Sequence, residues 1–265
     1  MKKTVVKVIS LLTALAFLAL AFCACGEKKD TFTVGFDSEF PPYGFVGDDG
    51  EYTGFDLDLA KEVAKRNGWE IKLKAIDWDS KDFILSSGAI DCIWNGFTMN
   101  QREDDYTWSP AYVDNSQVVV VKVGGGINTL SDLSGKKVAV QTDSSAEALF
   151  KDEENKEMQA LAATFAEIKA YGDYNTAFLN LESGTVDAVA MDIGVANYQI
   201  ESRGADKYVI LTEQLASEEY GVGFLLGNTE LCDKVTATLK EMMKDGKFRE
   251  IAEKWGLSDS VKIWN

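Results

Sequence analysis

The sequence predicts an α/β protein of two similar lobes, each built on a doubly wound, mostly parallel sheet. Two observations support this fold class: strand-like runs alternate with helical patterns along the chain, and one segment has an echo. Residues 85–102 (LSSGAIDCIWNGFTMNQR) match LESGTVDAVAMD, which starts 96 positions later, at Leu, Ser, Gly, Asp and an aliphatic residue. In both copies Ser-Gly ends a helix and Asp leads into an apolar strand, so each lobe should carry one copy.

The first lobe begins with an alternating strand, and a stiff loop containing Pro41 and Pro42 follows it. An apolar stripe then predicts a helix that ends at Gly68, because glycine readily takes the left-handed conformation of a helix C-terminus. The predicted elements are strand 31–37, helix 54–67, strand 71–77, helix 78–87 and strand 92–97.

The second lobe repeats the alternation, and its first helix should open at a capping box formed by Ser144 and Glu147. A later helix can be capped by Asn228, and the elements after residue 220 should return to the first lobe. The predicted elements are strands 117–123, 136–142, 167–171, 188–191, 208–212 and 220–226, and helices 174–181, 193–202, 228–243 and 248–255.

The N-terminus has the pattern of a secretory signal. Three lysines precede an almost wholly apolar run, 8–24, and Cys25 follows the small residue Ala24. This pattern predicts a lipoprotein signal whose mature chain starts at a lipidated Cys25, on the outer face of a bacterial cell membrane. Cys23 as the lipidated residue, or an ordinary cleaved signal, is the alternative. The predicted organisation is signal 1–24, tether 25–30, first lobe 31–114, second lobe 115–217 and a return to the first lobe over 218–265.

Charge and residue types exclude several functions. Removing 1–24 lowers Lys+Arg from 27 to 24 against 43 Asp+Glu, so the net charge of −16 becomes −19, which disfavours nucleic acid as a partner. The chain has no histidine, which excludes a Ser-His-Asp triad and a histidine-rich zinc site. Cys92 and Cys232 form no CxxC pair, and we expect buried free thiols rather than a disulfide. No cofactor or metal is expected.

The residues at the predicted strand ends suit a small zwitterion, since open α/β sheets bind ligands beyond the carboxyl ends of their strands. A carboxylate needs a fork of donors, an ammonium needs an anion, and an apolar stem needs an aromatic wall. The candidates are Arg102 with Ser144 and Ser145 for the carboxylate, Asp192 for the ammonium, and Phe40 and Trp78 for the wall. The alternatives are a surface ion pair for Arg102, helix caps for Ser144 and Asp192, and core packing for Phe40 and Trp78.

Four segments carry a resemblance to a known family: TVGFDSEFPPYGF, GFDLDLAKEVAKRNG, WDSKDFILSSGAIDCIWNGFT and KDGKFREIAEKWG. Over residues 31–265 the chain resembles the family 3 solute-binding proteins of polar amino acid ABC transporters. The resemblance implies a type II periplasmic-binding-protein-like fold with two crossing strands near 113–117 and 216–220. It also implies a monomer that closes on a free L-amino acid and delivers it to a permease.

The resemblance assigns roles by position. Gly96 and Asp192 match the residues that receive the ligand's ammonium, and Thr98 and Arg102, with the Ser145 amide, match those that bind its carboxylate. Phe40 and Trp78 match the aromatic pair around the ligand, and Asp37 and Gln141 match contacts to its side chain. Asn95 stands where smaller residues are frequent, and we expect it to be a further ligand contact.

Two other departures from the family pattern concern the loops of the site. The segment from Thr98 to Arg102 is one residue shorter than usual, which leaves the position of Arg102 open. The sequence 143–145 replaces a loop in which a glycine is common.

The ligand's side chain is less determined. Arg102 is the one cation at the inferred positions and is committed to the ligand's carboxylate, so acidic amino acids are disfavoured. A polar neutral amino acid such as glutamine or cystine is favoured, with arginine or lysine as the alternative. We expect no enzyme activity; a remote alternative is a dehydratase with Glu39 as general acid. A stand-alone sensor or adhesin with the same two-lobed site is the other alternative.

Overall fold

The computed structural model describes residues 30–264. The predicted signal segment and the predicted lipidation residue, Cys25, lie outside this range. Among the helices that are described, none has the length and apolar character needed to cross a membrane.

The described chain alternates strands and helices as predicted, with short 3-10 turns at Trp78–Ser80 and Leu130–Leu133. The strands are β1 (Thr31–Phe36), β2 (Glu39–Phe40), β3 (Gly44–Val46), β4 (Tyr52–Thr53), β5 (Glu70–Ala75), β6 (Cys92–Ile93), β7 (Tyr106–Trp108), β8 (Val113–Lys122), β9 (Lys137–Gln141), β10 (Glu167–Tyr171), β11 (Ala188–Asp192), β12 (Tyr208–Ile210), β13 (Ala216–Tyr220) and β14 (Gly223–Leu225). The helices are α1 (Phe55–Asn67), α2 (Lys81–Ser86), α3 (Ser145–Lys151), α4 (Lys156–Ala162), α5 (Tyr174–Ser183), α6 (Ile193–Arg203), α7 (Thr229–Asp245) and α8 (Lys247–Lys254).

Two sheets form the centres of two lobes. The first has the order β5-β1-β6-β14-β7, and the second has the order β10-β9-β11-β8-β12, with β13 beside β8. In each sheet three neighbouring strands are parallel and the next one is antiparallel, so β5-β1-β6-β14 has the same arrangement as β10-β9-β11-β8. The predicted fold class, with mostly parallel sheets covered by helices, is confirmed.

The repeated sequence segment forms the same hydrogen bond, from a backbone N–H to an Asp carboxylate, in both lobes. The carboxylate of Asp91 accepts a hydrogen bond of 2.7 Å from the backbone N–H of Thr33 in β1, the middle one of the first lobe's three parallel strands. The carboxylate of Asp187 accepts a 2.8 Å bond from the N–H of Lys137, at the start of the second lobe's central strand. Glycine ends the preceding helical segment in both copies, at φ +74° in Gly88 and +79° in Gly184. The echo therefore aligns the two central strands in the same way.

Two antiparallel strands join the lobes. β8 pairs with β13 over its first five residues, so that Asn115 lies opposite Glu218 and Gln117 opposite Ala216. The remainder of β8 belongs to the second sheet. Tyr220, at the end of β13, forms a bridge with Thr98 of the first lobe. These strands lie at the crossings that the family resemblance implies.

Some predicted elements differ from the structure. β6 ends at Ile93 rather than at residue 97, because Gly96 takes a φ of +55° and its N–H is bonded by the buried carboxylate of Asp56. The predicted strand 220–226 is divided between β13 and β14, and β7 was not predicted. Polar residues at positions 114–116 concealed the hydrogen-bonded start of β8, which begins at Val113.

The core of each lobe lies between its sheet and the helices. Cys92 and Cys232 are both buried and free, which confirms the prediction for these thiols.

α1 begins after Gly54, where a Cβ would lie 2.2 Å from the carbonyl oxygen of Tyr43, so that only glycine fits. This close approach fixes the start of α1, and with it Asp56, beneath the site loop.

Candidate functional site

Hydrogen bonds and an ion pair hold the lobes together across the cleft. Gln141 Nε2 donates to Asp37 Oδ2 at 2.6 Å, and Gln101 Nε2 donates to Asp152 Oδ2 at 2.8 Å. The ammonium of Lys81 pairs with the carboxylate of Asp143. The two lobes are therefore closed on each other in this structure.

Most of the predicted site residues surround one small cavity between the lobes. Its wall is formed by Phe40, Trp78, Gly96, Thr98, Arg102, Gln141, Ser144, Ser145 and Asp192. The volume is about 20 Å³, which is room for about one water molecule. An amino acid is larger, so it can enter this inner cavity only when the lobes separate.

Arg102 reaches the inner cavity although the segment before it is short. Gln101 takes a left-handed φ of +65°, which turns the chain, and the guanidinium then donates to the carbonyl oxygens of Thr98 at 3.3 Å and Asp143 at 3.2 Å. No ion pair of Arg102 with an acidic side chain occurs within residues 30–264. The guanidinium is consequently free to pair with a ligand carboxylate.

Ser144 caps the N-terminus of α3, as the alternative interpretation of this residue predicted. Its Oγ accepts a 3.2 Å bond from the N–H of Glu147, but the Glu147 carboxylate bonds the N–H of Asp143 rather than that of Ser144. The predicted capping box therefore closes one residue early. The hydroxyl of the next residue, Ser145, donates to Glu218 on β13, the second of the two strands that join the lobes.

Asp192 precedes α6 but makes no capping bond with its side chain, unlike the alternative predicted for it. Its Oδ1 instead accepts bonds from Asn115 Nδ2 at 2.8 Å, Gln117 Nε2 at 2.8 Å and the Tyr220 hydroxyl at 2.5 Å. Burial and the nearby charge of Glu218 raise the pKa of the Asp192 carboxyl well above its usual range. The carboxylate thus lies in a buried place that a ligand's cation would stabilise.

Glu218 is a site residue that sequence reasoning missed. It is 4% exposed, and its carboxylate accepts bonds from the hydroxyls of Thr98 and Ser145 and from the amides of Asn115 and Gln117. In the sequence, residues 217–219 are one serine and two glutamates, with no apolar residue to mark a buried face. The two-residue period of a strand was the available signal, because it turns Glu218 inward.

Asp56 is a second missed residue, and it supports the site from behind. Its carboxylate is fully buried and accepts a 2.6 Å bond from the N–H of Gly96 and a 2.8 Å bond from the Tyr112 hydroxyl. Burial raises its pKa to about 7. Asp56 therefore connects Gly96, in the loop after β6, with Tyr112, the residue that precedes β8.

Asn95 differs from its predicted role, since it does not line the inner cavity. Its Oδ1 accepts a 2.8 Å bond from the N–H of Asp37, and its side chain is 1% exposed. Asn95 thus orients the end of β1 and acts on the site through Asp37.

Phe40 and Trp78 both pack in the core and form part of the site wall, so both interpretations of these residues apply. Both are nearly buried, and their rings pack on other aromatic side chains, Phe40 against Tyr174 at 5.9 Å and Trp78 against Phe97 at 5.4 Å between centroids. Both also line the inner cavity. The core contacts hold the two rings rigidly at the site.

A second, larger cavity lies beside the inner one and shares Trp78 with it. Its volume is about 280 Å³. The wall contains five carboxylates and no Lys or Arg: Asp37, Glu39, Asp77, Asp79 and Asp173. Burial raises the pKa of Asp37 to about 6, and partial desolvation together with the charge of Asp173 raises the pKa of the more exposed Glu39. The negative charges around this outer cavity would stabilise a positively charged group inside it.

Comparisons with known proteins agree with this geometry. The family model of bacterial extracellular solute-binding proteins, family 3, matches residues 32–258. The L-cystine-binding protein TcyJ of Escherichia coli is 31% identical over 239 residues, covering 89% of this chain and 86% of the relative.

Two solved structures are similar over most of the chain. An ABC uptake transporter substrate-binding protein from Streptococcus pneumoniae with bound histidine has a TM-score of 0.83 and 36% identity, over 88% of this chain and 94% of that one. An ancestral arginine-binding protein bound to arginine has a TM-score of 0.77 and 37% identity, over 86% and 98% of the two chains.

Proposed function

Since the chain belongs to the bacterial extracellular solute-binding proteins of family 3, we propose that it captures a free L-amino acid and delivers it to an ABC permease. One observation carries this proposal: an uncommitted guanidinium, Arg102, and a buried carboxylate, Asp192, face the same cavity between two lobes. A zwitterion satisfies both groups at once, whereas a simple cation or anion leaves one of them unpaired.

The two-lobed protein would bind its ligand through a shift in population between open and closed forms. Thr98 and Arg102 belong to the first lobe, and Ser145 and Asp192 to the second, so one small ligand touches all four only when the lobes are closed. Because the inner cavity of this arrangement has room for about one water molecule, the ligand-bound form would be wider, and contacts such as that from Gln141 to Asp37 would re-form around the ligand.

The outer cavity favours a ligand whose side chain ends in a positive charge. Five carboxylates without a base would attract the guanidinium of arginine or the ammonium of lysine, and Trp78 would lie against the aliphatic stem. This favours the basic alternative over a polar neutral side chain such as that of glutamine. Cystine is the second candidate, because its distal ammonium could enter the same cavity and a cystine-binding relative is 31% identical.

We further propose that the protein is a binding subunit rather than an enzyme. Glu39, the candidate acid of a dehydratase, is exposed and lines the outer cavity rather than the inner one. The same proposal includes an N-terminal signal segment and an anchor to the outer face of the cell membrane through Cys25. It also includes action as a monomer together with permease subunits. Turnover of a cyclohexadienyl acid would contradict it.

Thermal unfolding of residues 26–265 tests the proposal. The sample is unfolded and refolded to remove carried ligand, and each of the twenty amino acids and cystine is then added. An amino acid at 100 times its Kd should add about 2.7 kcal/mol to the free energy of unfolding. A selective shift with arginine or lysine is expected. A cooperatively folded sample that shifts with none of them would rule out the amino acid function.

A further inference from the structure

Two carboxylates of the site share the same hydrogen-bond donors. Asn115 Nδ2 lies 2.8 Å from Asp192 Oδ1 and 3.1 Å from Glu218 Oε2, and for Gln117 Nε2 the two distances are 2.8 and 3.0 Å. The reason is strand register, since β8 carries both amides and has β11 with Asp192 on one side and β13 with Glu218 on the other. Two acidic groups are therefore brought together on one buried face.

The pair lacks a positive charge. Within the described part of the chain, neither Asp192 nor Glu218 is in ion-pair contact with a lysine or arginine; the surrounding donors are neutral amides and hydroxyls. Two buried carboxylates held only by neutral donors repel each other and lose hydration, so a single cation placed against them would be strongly favoured.

A second observation points to a donor-rich ligand. The acceptor atoms Asn115 Oδ1 and Gln117 Oε1 are buried and have no hydrogen-bond partner within residues 30–264, and the two side chains are 4% and 0% exposed. Buried acceptors of this kind cost free energy unless a donor reaches them. An ammonium group, with three N–H donors and no acceptor, matches this shortage of donors around the pair.

Of the two carboxylates, Asp192 lines the inner cavity, and Glu218 lies directly behind the wall residues Thr98 and Ser145. We propose that Glu218 acts as a pair with Asp192, and that this pair receives the α-ammonium of the captured amino acid. The inference rests on the proposed amino acid function and assigns a specificity role to β13, the strand that carries Glu218. Because Glu218 also binds Thr98 of the first lobe and Ser145 of the second, the same carboxylate connects closure of both lobes to the presence of the ammonium.

The bond directions change the role implied for one residue. The Thr98 hydroxyl donates its proton to Glu218, so its oxygen offers lone pairs to the cavity. That oxygen suits the ligand's ammonium rather than its carboxylate, which leaves Arg102 as the main carboxylate partner.

Proton release should accompany binding. The pKa of Asp192 is raised by burial and by Glu218, and an arriving ammonium lowers it again, so binding below neutral pH releases a proton. The other groups facing Asp192 are the phenols of Tyr43, Tyr174 and Tyr220, whose pKa values burial holds well above the usual range, so they stay neutral. Arg102, on the same cavity, stays charged.

The experiment measures affinity in the refolded mature chain by titration calorimetry. The probes are L-arginine and L-glutamine, each compared with its analogue without the α-amino group, 5-guanidinopentanoate and 5-amino-5-oxopentanoate. Glu218→Gln should weaken the better-bound amino acid at least about 30-fold and leave its deamino analogue within about 2-fold of wild type. The control is Glu219→Gln, because Glu219 follows on the same strand, pairs with Lys262 and should have no effect on affinity.

Proton release is measured at pH 6 in buffers of different ionisation enthalpy. The wild type should release part of a proton for each amino acid bound, and Glu218→Gln should release less. Equal affinity and equal proton release in wild type and Glu218→Gln would overturn the role of Glu218 while the amino acid function stands. Equal weakening of the amino acid and its deamino analogue would also overturn it, as a general structural effect. Where the wild type binds neither arginine nor glutamine, the basic or amide side-chain assignment is wrong and the comparison is made with L-cystine; equal affinity of wild type and Glu218→Gln would again overturn the role of Glu218.

Discussion

Asp37 accepts a 2.6 Å hydrogen bond from Gln141 across the cleft, and the two residues occupy equivalent places in the two lobes. Asp37 directly follows β1 and Gln141 ends β9, the central parallel strands of their sheets. The repeat therefore brings like strand ends face to face, at the boundary between the inner and outer cavities.

The first prediction concerns Asp37→Asn. Because the Asp37 carboxylate faces the acidic outer cavity, the variant should bind arginine or lysine about 10-fold or more weakly, as expected for a charged hydrogen bond of about 1.5–3 kcal/mol. The pKa of Asp37 is about 6, so wild-type affinity for a basic amino acid should also fall as pH drops below 6. Calorimetry between pH 5 and 8 measures both effects. Asp206→Asn, on the exposed surface, is the control, and an unchanged pH profile in Asp37→Asn would contradict the prediction.

The second prediction concerns the interlobe pair of Lys81 and Asp143. The Lys81 side chain is 2% exposed and that of Asp143 is 48% exposed, so the cost of breaking the pair is asymmetric. Asp143→Asn should leave a buried ammonium unpaired and speed ligand dissociation about 100-fold, whereas Lys81→Met should cost far less. Asparagine tolerates the φ of +58° at this position, so backbone strain does not confuse the result.

Stopped-flow dissociation rates distinguish these variants. Lys151→Met, which removes an exposed ion pair with Glu147, should change the rate less than 2-fold. Equal effects of Asp143→Asn and Lys81→Met would show that burial does not decide the cost.

The third prediction is that Arg102→Ala abolishes most binding. Its guanidinium is oriented by the carbonyls of Thr98 and Asp143, and loss of a desolvated charge pair with the ligand's carboxylate should weaken binding about 100-fold or more. Arg102→Lys should recover only part of this, since a lysine cannot form the two-pronged contact. Arg249→Ala, an exposed arginine of α8, is the matched control in the same thermal-shift assay.

The fourth prediction compares two glycines of positive φ. An alanine Cβ at Gly96 would lie 2.7 Å from a ring carbon of Phe40, whereas at Gly88 it would meet nothing within 4 Å. Gly88→Ala should therefore lower stability through backbone strain alone and preserve affinity, while Gly96→Ala should also lose ligand affinity. Denaturant unfolding and calorimetry on both variants separate the two costs. Equal affinities would contradict the proposed role of Phe40 and Gly96.

The fifth prediction is a dependence of stability on pH that comes from Asp56. Its pKa is raised from 3.8 in the unfolded chain to about 7, so the folded state holds its proton more tightly and stability from this group is lost as pH rises from 3.8 towards 7. Asp56→Asn should remove a slope of up to about 1.4 kcal/mol per pH unit in this window. Urea unfolding from pH 5 to 7.5 measures it. Asp58→Asn, on the same helix and paired with Lys254 at the surface, should keep the slope.

The sequence by itself determined the fold class, the order of most elements and the repeat. These depend on local rules: the period of apolar residues, the glycines that end helices, and the Asp that precedes each short strand. Nine of the eleven predicted ligand-site residues line the inner cavity because strand ends of an α/β sheet converge at one edge.

Only the tertiary structure decided which charges meet. Glu218, Asp56 and Lys81 lie far along the chain from their partners, and their roles come from register across β8 and β13 and from closure of the lobes. Electrostatic contacts depend on distance in space and on burial, and neither quantity is written in local periodicity. For this reason the sequence predicted a site for a zwitterion, while the second carboxylate beside Asp192 and the acidic outer cavity became visible only in the folded chain.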